Sequence, residues 1–394
     1  MSPELAARLE RLRRVEPRDA QCESTSPLQN IAYEDELRLK KELVQDTFFM
    51  SDIRLPELGI ATDGKEYFYR NKMEYALYWD NEESKIKLAA HQRRSYKKIP
   101  IETSSLERPE ILARALEIVG ELNAKGAQAR DYQSLMLRCN QKGEVSGGLL
   151  EKGKPHPVFA NLTDEILGRE YSYSPNGFFQ INLPVYEMAL KEIANWVEGE
   201  KVLDLYAGVG TIGLSVARDR DLTLVELNAS AYAELCANAK VPPASTMEQS
   251  ANAAAPPPSI ASALGEQSSP SCCSLIHSQQ FTPHASATDG GCANNSPRAI
   301  LASSEDSLAH IAGKDTLIVD PPRAGLHQAV VAELIKQKTP RVIYLSCNPE
   351  TQARDVKMLV DRGYKIDFAK LFNFFPKTLH IESLVILTNK SERT

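Results

Sequence analysis

From Lys201 onward short apolar runs alternate with amphipathic ones, and this alternation limits the fold more than any other feature. KVLDLYA, LTLVELN, RAILAS, DTLIVD and RVIYLSC, beginning at Lys201, Leu222, Arg298, Asp315 and Arg341, have the length and content of buried strands. TIGLSVARD, ASAYAELCANAK, HQAVVAELIKQ and PETQARDVKMLVDRG carry helical spacing between or after them. Strand and helix in alternation predict an α/β fold with a doubly wound parallel sheet, because each crossover must pass over one face. FPKTLHIESLVILT, ending at Thr388, predicts a last strand, taken as an antiparallel edge. Ahead of this region the pattern changes twice. Residues 1–50 are expected to be a helical segment, from ELAARLERLRR and YEDELRLKKELVQDTF. Residues 51–175 are expected to be a smaller α+β domain, from EYFYR, MEYALYW and IKLAAH between turn residues. The doubly wound domain is then 176–394.

One stretch cannot belong to that sheet. Residues 241–298 hold 11 Ser, 10 Ala and 8 Pro, with four charged residues and Phe281 as the one aromatic. So little apolar surface cannot offset the entropy of ordering, so a disordered insertion is expected there. Seven scattered cysteines (Cys22, Cys139, Cys236, Cys272, Cys273, Cys292, Cys347) contain no CxxC, which argues against a disulfide framework or a zinc ribbon. No apolar run is long enough to span a bilayer, and the charged N-terminus lacks the core of a secretory signal. A cytoplasmic monomer is the default expectation. The net charge of -6 excludes coating nucleic acid by bulk charge, but a local basic stripe can still grip it. Lys85, Lys87, Arg93, Arg94, Lys97 and Lys98 form such a stripe, with no acid among residues 85–98.

The chemistry concentrates at strand ends. Asp204-Leu-Tyr-Ala-Gly208-Val-Gly210-Thr-Ile-Gly213 ends a strand, turns on glycines and opens a helix. Glu226, 22 residues after Asp204, ends the next strand, where an acid accepts both ribose hydroxyls of an adenosine ligand. The glycines spell GxGxxG, so a dinucleotide-dependent oxidoreductase is the competing reading. Asp204 argues against it, because an acid repels a pyrophosphate and attracts the amino group of S-adenosylmethionine. Asp320-Pro-Pro-Arg-Ala-Gly and Ser346-Cys347-Asn-Pro end two further strands with rigid turns, and Glu382 is a lone acid in the last strand. A thiol and a carboxylate beside a methyl donor suit methylation at carbon 5 of a pyrimidine. Cys347 would add to carbon 6 and Glu382 would take the carbon 5 proton.

GFFQIN (177–182), DLYAGVGTIGL (204–214), DPPRAGL (320–326), LSCNP (345–349) and HIESLVIL (380–387), in this order, resemble the RNA (uracil-5-)-methyltransferases of tRNA and 23S rRNA. RNKMEY (70–75) and the run from His91 to Ile101 resemble that family's central domain. The resemblance implies a class I methyltransferase fold, S-adenosylmethionine as donor and an RNA substrate. It implies donor binding by Gln180, Tyr206, Gly208, Gly210, Thr211, Glu226 and Asp320, with Cys347 as nucleophile and Glu382 as proton acceptor. Arg70, Lys72, Arg93, Arg94, Lys97 and Lys98 would contact RNA phosphates. Two family features are expected to be lacking. No oligonucleotide-binding β-barrel fits before residue 30. The four cysteines of an iron–sulfur cluster are also lacking, since Glu23, Ser26 and Ser104 stand at those places with only Cys22 near. A non-catalytic RNA-binding relative is the third reading.

Overall fold

The alternation beginning at Lys201 builds the largest sheet of the computed structural model, which describes residues 3–91, 97–101, 104–243 and 296–389. Most of the insertion expected at 241–298 lies outside the described residues, as do Arg93 and Arg94. In chain order the strands are β1 (Gly59–Ala61), β2 (Lys72–Asp80), β3 (Lys85–His91), β4 (Lys98–Pro100), β5 (Tyr132–Cys139), β6 (Val145–Glu151), β7 (Leu162–Ile166), β8 (Arg169–Tyr173), β9 (Lys201–Leu205), β10 (Asp221–Glu226), β11 (Arg298–Leu301), β12 (Thr316–Val319), β13 (Arg341–Ser346), β14 (Lys365–Phe372) and β15 (Glu382–Thr388).

The large sheet has the order β1-β14-β15-β13-β12-β9-β10-β11. Every pairing is parallel except those of β15, which runs against both β13 and β14. This is the class I methyltransferase arrangement, extended by β1 at one edge. The strands are apolar on both faces, as Val202, Leu203 and Leu205 of β9 illustrate, because helices cover both sides. One face packs against the helix Leu183–Ala194, the other against Gln328–Gln337 and Pro349–Val360.

Two sequence expectations need correction here. The last strand is antiparallel but interior, not an edge: all seven of its residues are buried between β13 and β14. The three-residue β1, drawn from the segment read as the middle domain, pairs with β14 and covers that edge. Residues 1–50 are helical at Pro3–Glu10, Cys22–Thr25 and Tyr33–Met50. The last of these helices is fastened to the large sheet by buried charges. Lys40 Nζ donates to Glu36 Oε1 at 2.8 Å and to Asn373 Oδ1 at 2.7 Å, with both side chains of the ion pair fully enclosed.

The second sheet, β4-β3-β2-β5-β6, is antiparallel and packs one face on the helix Pro109–Ala124 through Tyr75, Leu77, Ile86, Leu135 and Ile118. The hairpin β7-β8 then leads into the helix Leu183–Ala194 by way of residues 174–182.

Candidate active site

The winding of the large sheet reverses between β9 and β12, and ligands of open α/β sheets bind at the carboxyl edge of such a point. A cavity of about 280 Å³ opens there. Gln180, Tyr206, Gly208, Thr211, Glu226 and Asp320 all line it. Gly210, the remaining residue expected at the donor, does not. It lies beneath the cavity as the N-cap of Thr211–Val216, with φ of 87°.

The glycine turn is held by two acids. Glu226 Oε2 accepts the Gly208 N–H at 2.8 Å and its Oε1 accepts the Asn228 N–H at 2.6 Å. Each oxygen keeps a lone pair for a hydroxyl of a ligand. Gly208 has φ of 57°, and nothing stands within 4 Å of where a Cβ would be, so the backbone itself forms the cavity floor. Asp204 has a different part from the one expected of it. It is 1% exposed and braces the turn from below, its Oδ2 accepting the Gly213 N–H at 2.8 Å. Burial pushes its carboxyl up to about 8, with Asp320 and Glu226 adding to the rise. It does not line the cavity. At Gly213 a Cβ would come within 2.8 Å of both Asp204 Oδ2 and Leu224 Cδ2, so glycine is needed there for packing.

Cys347 and Glu382 come together through strand register. Ser346 pairs with Ser383 across the antiparallel β13–β15 ladder, so Cys347 follows at the level of Glu382. Opposed residues in such a ladder have Cα atoms about 5 Å apart. On the other side of β13, parallel β12 pairs Val319 with Tyr344 and then delivers Asp320. Three acidic groups thus share one strand edge.

Their electrostatics follow from that crowding. Burial pushes the Cys347 thiol up to about 11, and the carboxylates of Glu382 and Asp320 push the same way. Burial, then Asp320, holds Glu382 well above the usual carboxylate range; its side chain is 3% exposed and Oε2 finds no partner among the described residues. Asp320, enclosed by protein except where it faces the cavity, rises by burial to about 7. The Arg323 guanidinium opposes the rise at both Cys347 and Glu382. Its backbone is fixed by the turn after Cys347: the Arg323 carbonyl accepts from Asn348 Nδ2 at 2.8 Å and from Thr351 Oγ1 at 3.1 Å. Sequence reasoning missed Arg323. Its signal was a cation directly after two prolines at the same strand edge as an acid. It missed Phe178 as well, which stands at the cavity and is 73% exposed.

The basic residues expected to grip RNA are more occupied than the stripe implied. Lys85 pairs with Glu83, and Lys87 with Asp80 and Glu83, acids just ahead of the stripe. Lys98 Nζ donates to the Leu77 carbonyl at 2.6 Å, and Lys97 is exposed. Arg70 Nε donates to the Lys72 carbonyl, and Lys72 Nζ turns toward residues 176–177.

The residues at the places of the family's iron–sulfur ligands do not fit a cluster. Ser26 Oγ accepts from Gln29 Nε2 at 2.7 Å, and Ser104 donates to Glu107. Asp19 Oδ2 accepts from Gln29 Nε2 at 2.7 Å and from Ser105 Oγ at 2.8 Å. A carboxyl group and two hydroxyls, Glu23, Ser26 and Ser104, thus stand where thiolates are required, and among the described residues Cys22 is the thiol near them in sequence.

The family model of tRNA (uracil-5-)-methyltransferases matches residues 305–390, the span that contains Asp320, Cys347 and Glu382. A tRNA (uracil(54)-C(5))-methyltransferase of Pyrococcus abyssi is 30% identical over 253 residues, 64% of this chain and 48% of that relative. A 23S rRNA (uracil(1939)-C(5))-methyltransferase of Pseudomonas entomophila is 24% identical over 96% of this chain and 82% of that relative. The chain spans about half the length of the first curated relatives it matches. The crystal structure of the Pyrococcus abyssi tRNA (uracil-54, C5)-methyltransferase with S-adenosyl-L-homocysteine has the same fold, with a TM-score of 0.66 and 23% identity over 95% of this chain and 87% of that one. Residues 305–390 thus match the tRNA (uracil-5-)-methyltransferase model, and the chain is similar to RNA uracil-C5 methyltransferases over most of its length.

Proposed function

We propose that this chain transfers a methyl group from S-adenosylmethionine to carbon 5 of a uridine in tRNA or 23S rRNA. The observation that carries the reading is the register that sets Cys347 level with Glu382, beside the Asp320 wall of the glycine-floored cavity. The cavity suits the donor: Glu226 offers lone pairs to a ribose diol, and Val209 and Ile212 offer an apolar bed to a purine. Gln180, Tyr206, Thr211 and Asp320 would complete the hold on it.

Carbon 5 of uracil is a weak nucleophile. Cys347 loses its thiol proton to solvent, and addition of the thiolate to carbon 6 opens the 5,6 double bond and makes carbon 5 enolate-like. Bound S-adenosylmethionine supplies an electrophilic methyl group at that point. Glu382 then takes the carbon 5 proton, the sulfur–carbon 6 bond breaks, and the double bond returns. A carboxylate raised by burial is the stronger base for this step. Arg323 stabilises the departing thiolate. The uracil must leave its stack to reach the sulfur. A cleft of about 390 Å³, lined by Arg70, Met73, Glu74, His91, Ile101 and His380, supports such an approach, because it runs from just before Glu382 to the antiparallel sheet. Arg70 in its lining favours a phosphate, in a salt-dependent way.

The test is Cys347→Ala in the full chain. Methylation of uridine in transcribed tRNA and 23S rRNA, read by nucleoside mass spectrometry, should vanish while calorimetry still records S-adenosylhomocysteine binding. A variant that still methylates refutes the covalent route. Binding of NADH in place of S-adenosylhomocysteine would favour the hydride-transfer reading, and an unmodified RNA with wild-type protein would favour a non-catalytic binder.

A further inference from the structure

The segment Asn176–Ile181 supplies Phe178 and Gln180 to the cavity, yet it has no regular structure to satisfy its own carbonyls. Backbone carbonyls left unpaired in the interior are costly, so their partners determine the path of the chain. Here the partners come from the other sheet. Lys72 Nζ, at the start of β2, donates to the carbonyls of Asn176 at 3.2 Å and Gly177 at 3.1 Å. Arg138, opposite Lys72 on β5, donates through Nη2 to the Phe179 carbonyl at 3.1 Å. Asn71 donates through Nδ2 to the Gln180 carbonyl at 3.0 Å and through its N–H to the Ile181 carbonyl at 3.1 Å. Five of six successive carbonyls are held by three adjacent residues.

We propose that Asn71, Lys72 and Arg138 are positioning residues for the donor cavity. By holding the 176–181 carbonyls they make the shape of that cavity depend on the antiparallel sheet. The proposal rests on reading the cavity as the S-adenosylmethionine site. It also assigns Lys72 a different role from the phosphate contact expected from sequence.

The holding is charged, and at Arg138 it is enclosed. Arg138 is 1% exposed, and burial lowers its guanidinium to about 10. Burial, then the neighbouring Arg138, lowers the Lys72 ammonium to about 8. Hydrogen bonds from a cation to a carbonyl are stronger than neutral ones, and low dielectric strengthens them further. On the cavity side the consequence is selective. Phe179 is locked in the core by stacking on Tyr173, ring centres 3.9 Å apart, so slack in the loop falls on its neighbours Phe178 and Gln180.

The test uses the full chain with Lys72→Met, and with Lys72→Gln as a second variant that keeps one donor should the first unfold. Hydrogen exchange of the 176–181 amides is the readout that needs no ligand, and both variants should exchange faster there while β9 and β10 stay unchanged. S-adenosylhomocysteine affinity should fall about tenfold, the effect of one charge-assisted hydrogen bond. In turnover the KM for S-adenosylmethionine should rise and the KM for RNA should stay, with Lys72→Arg recovering most of the loss. Unchanged exchange and unchanged donor affinity overturn the proposal, and a rise confined to the RNA KM would make Lys72 a phosphate contact instead. Should the wild type bind no S-adenosylhomocysteine, the donor reading fails, and faster exchange in the variants would still uphold the positioning role.

Discussion

In the ligand-free protein Cys347 should react slowly with iodoacetamide, and replacing Glu382 by glutamine should speed it up. The thiol stands at about 11 instead of an ordinary 9.0, first by burial and then by the charges of Glu382 and Asp320. Two units lower the thiolate fraction at pH 8 by about a hundredfold. A more basic thiolate is a better nucleophile, and a Brønsted slope near 0.5 returns about tenfold. The net expectation is alkylation about tenfold slower than for a free cysteine peptide, with the rate still climbing at pH 9.5. Glu382→Gln removes one of the charges that raise the thiol and should accelerate the reaction. Arg323→Gln removes the cation that lowers it and should slow the reaction. The assay is mass spectrometry of the Cys347 peptide over a time course. The buried thiols Cys22, Cys139 and Cys236 serve as internal slow controls. A wild-type rate equal to the free peptide, or a Glu382→Gln protein that reacts more slowly than wild type, would refute the electrostatic account of this site.

Two glycines of one turn should separate binding from stability. Gly213→Ala places a Cβ within 2.8 Å of Asp204 Oδ2 and Leu224 Cδ2 and should cost about 1–3 kcal/mol of stability by overpacking, read as a lower melting temperature. Gly208→Ala meets no protein atom within 4 Å, so the strain of its positive φ should cost only about 1 kcal/mol, while its methyl enters the cavity and weakens S-adenosylhomocysteine binding in calorimetry. The pH dependence of stability follows from Asp204 at about 8 and Asp320 at about 7. Folding raises both above their unfolded values, so the stability they contribute is full below about pH 4 and is lost as pH climbs through 7 and 8. The urea midpoint of the ligand-free protein should therefore fall from pH 6 to pH 9. Asp204→Asn, which keeps an acceptor for the Gly213 N–H, should flatten the upper part of that fall.

The doubly wound sheet was legible because its evidence is local. Each strand is a short apolar run closed by a turn, and most of the residues expected at the donor that line the cavity sit at the closing turns. Gly208, Glu226 and Asp320 could be found without knowing a single contact. What was not legible is set by pairing across long stretches of chain. Nothing in GIA at 59–61 indicates that it will meet β14, over three hundred residues away. Nor does a helix carrying Glu36 and Lys40 reveal that both will be enclosed against Asn373 and Lys377. Two partners of the basic stripe were missed for the opposite reason. Its charges were counted from Lys85, and Asp80 and Glu83, which pair with Lys85 and Lys87, lie just before that window.

The reversed direction of β15 brings its lone acid level with the thiol. In an all-parallel sheet the first residue of a strand lies at the amino edge, away from every ligand-facing turn. Glu382 is the first residue of a seven-residue strand, and at about 3.3 Å per residue a parallel β15 would carry it about 20 Å from Cys347. Running antiparallel, β15 begins where β12 and β13 end, so Asp320, Cys347 and Glu382 reach one edge from three neighbouring strands. The same arrangement removes all three from water, which raises each group's affinity for protons, and the two acids add to the rise at Cys347. A site built this way holds its thiol protonated until positive charge arrives. Arg323 supplies part of that charge, and a sulfonium donor in the adjoining cavity would supply more. On the proposed function, donor binding and thiol activation would be linked through charge.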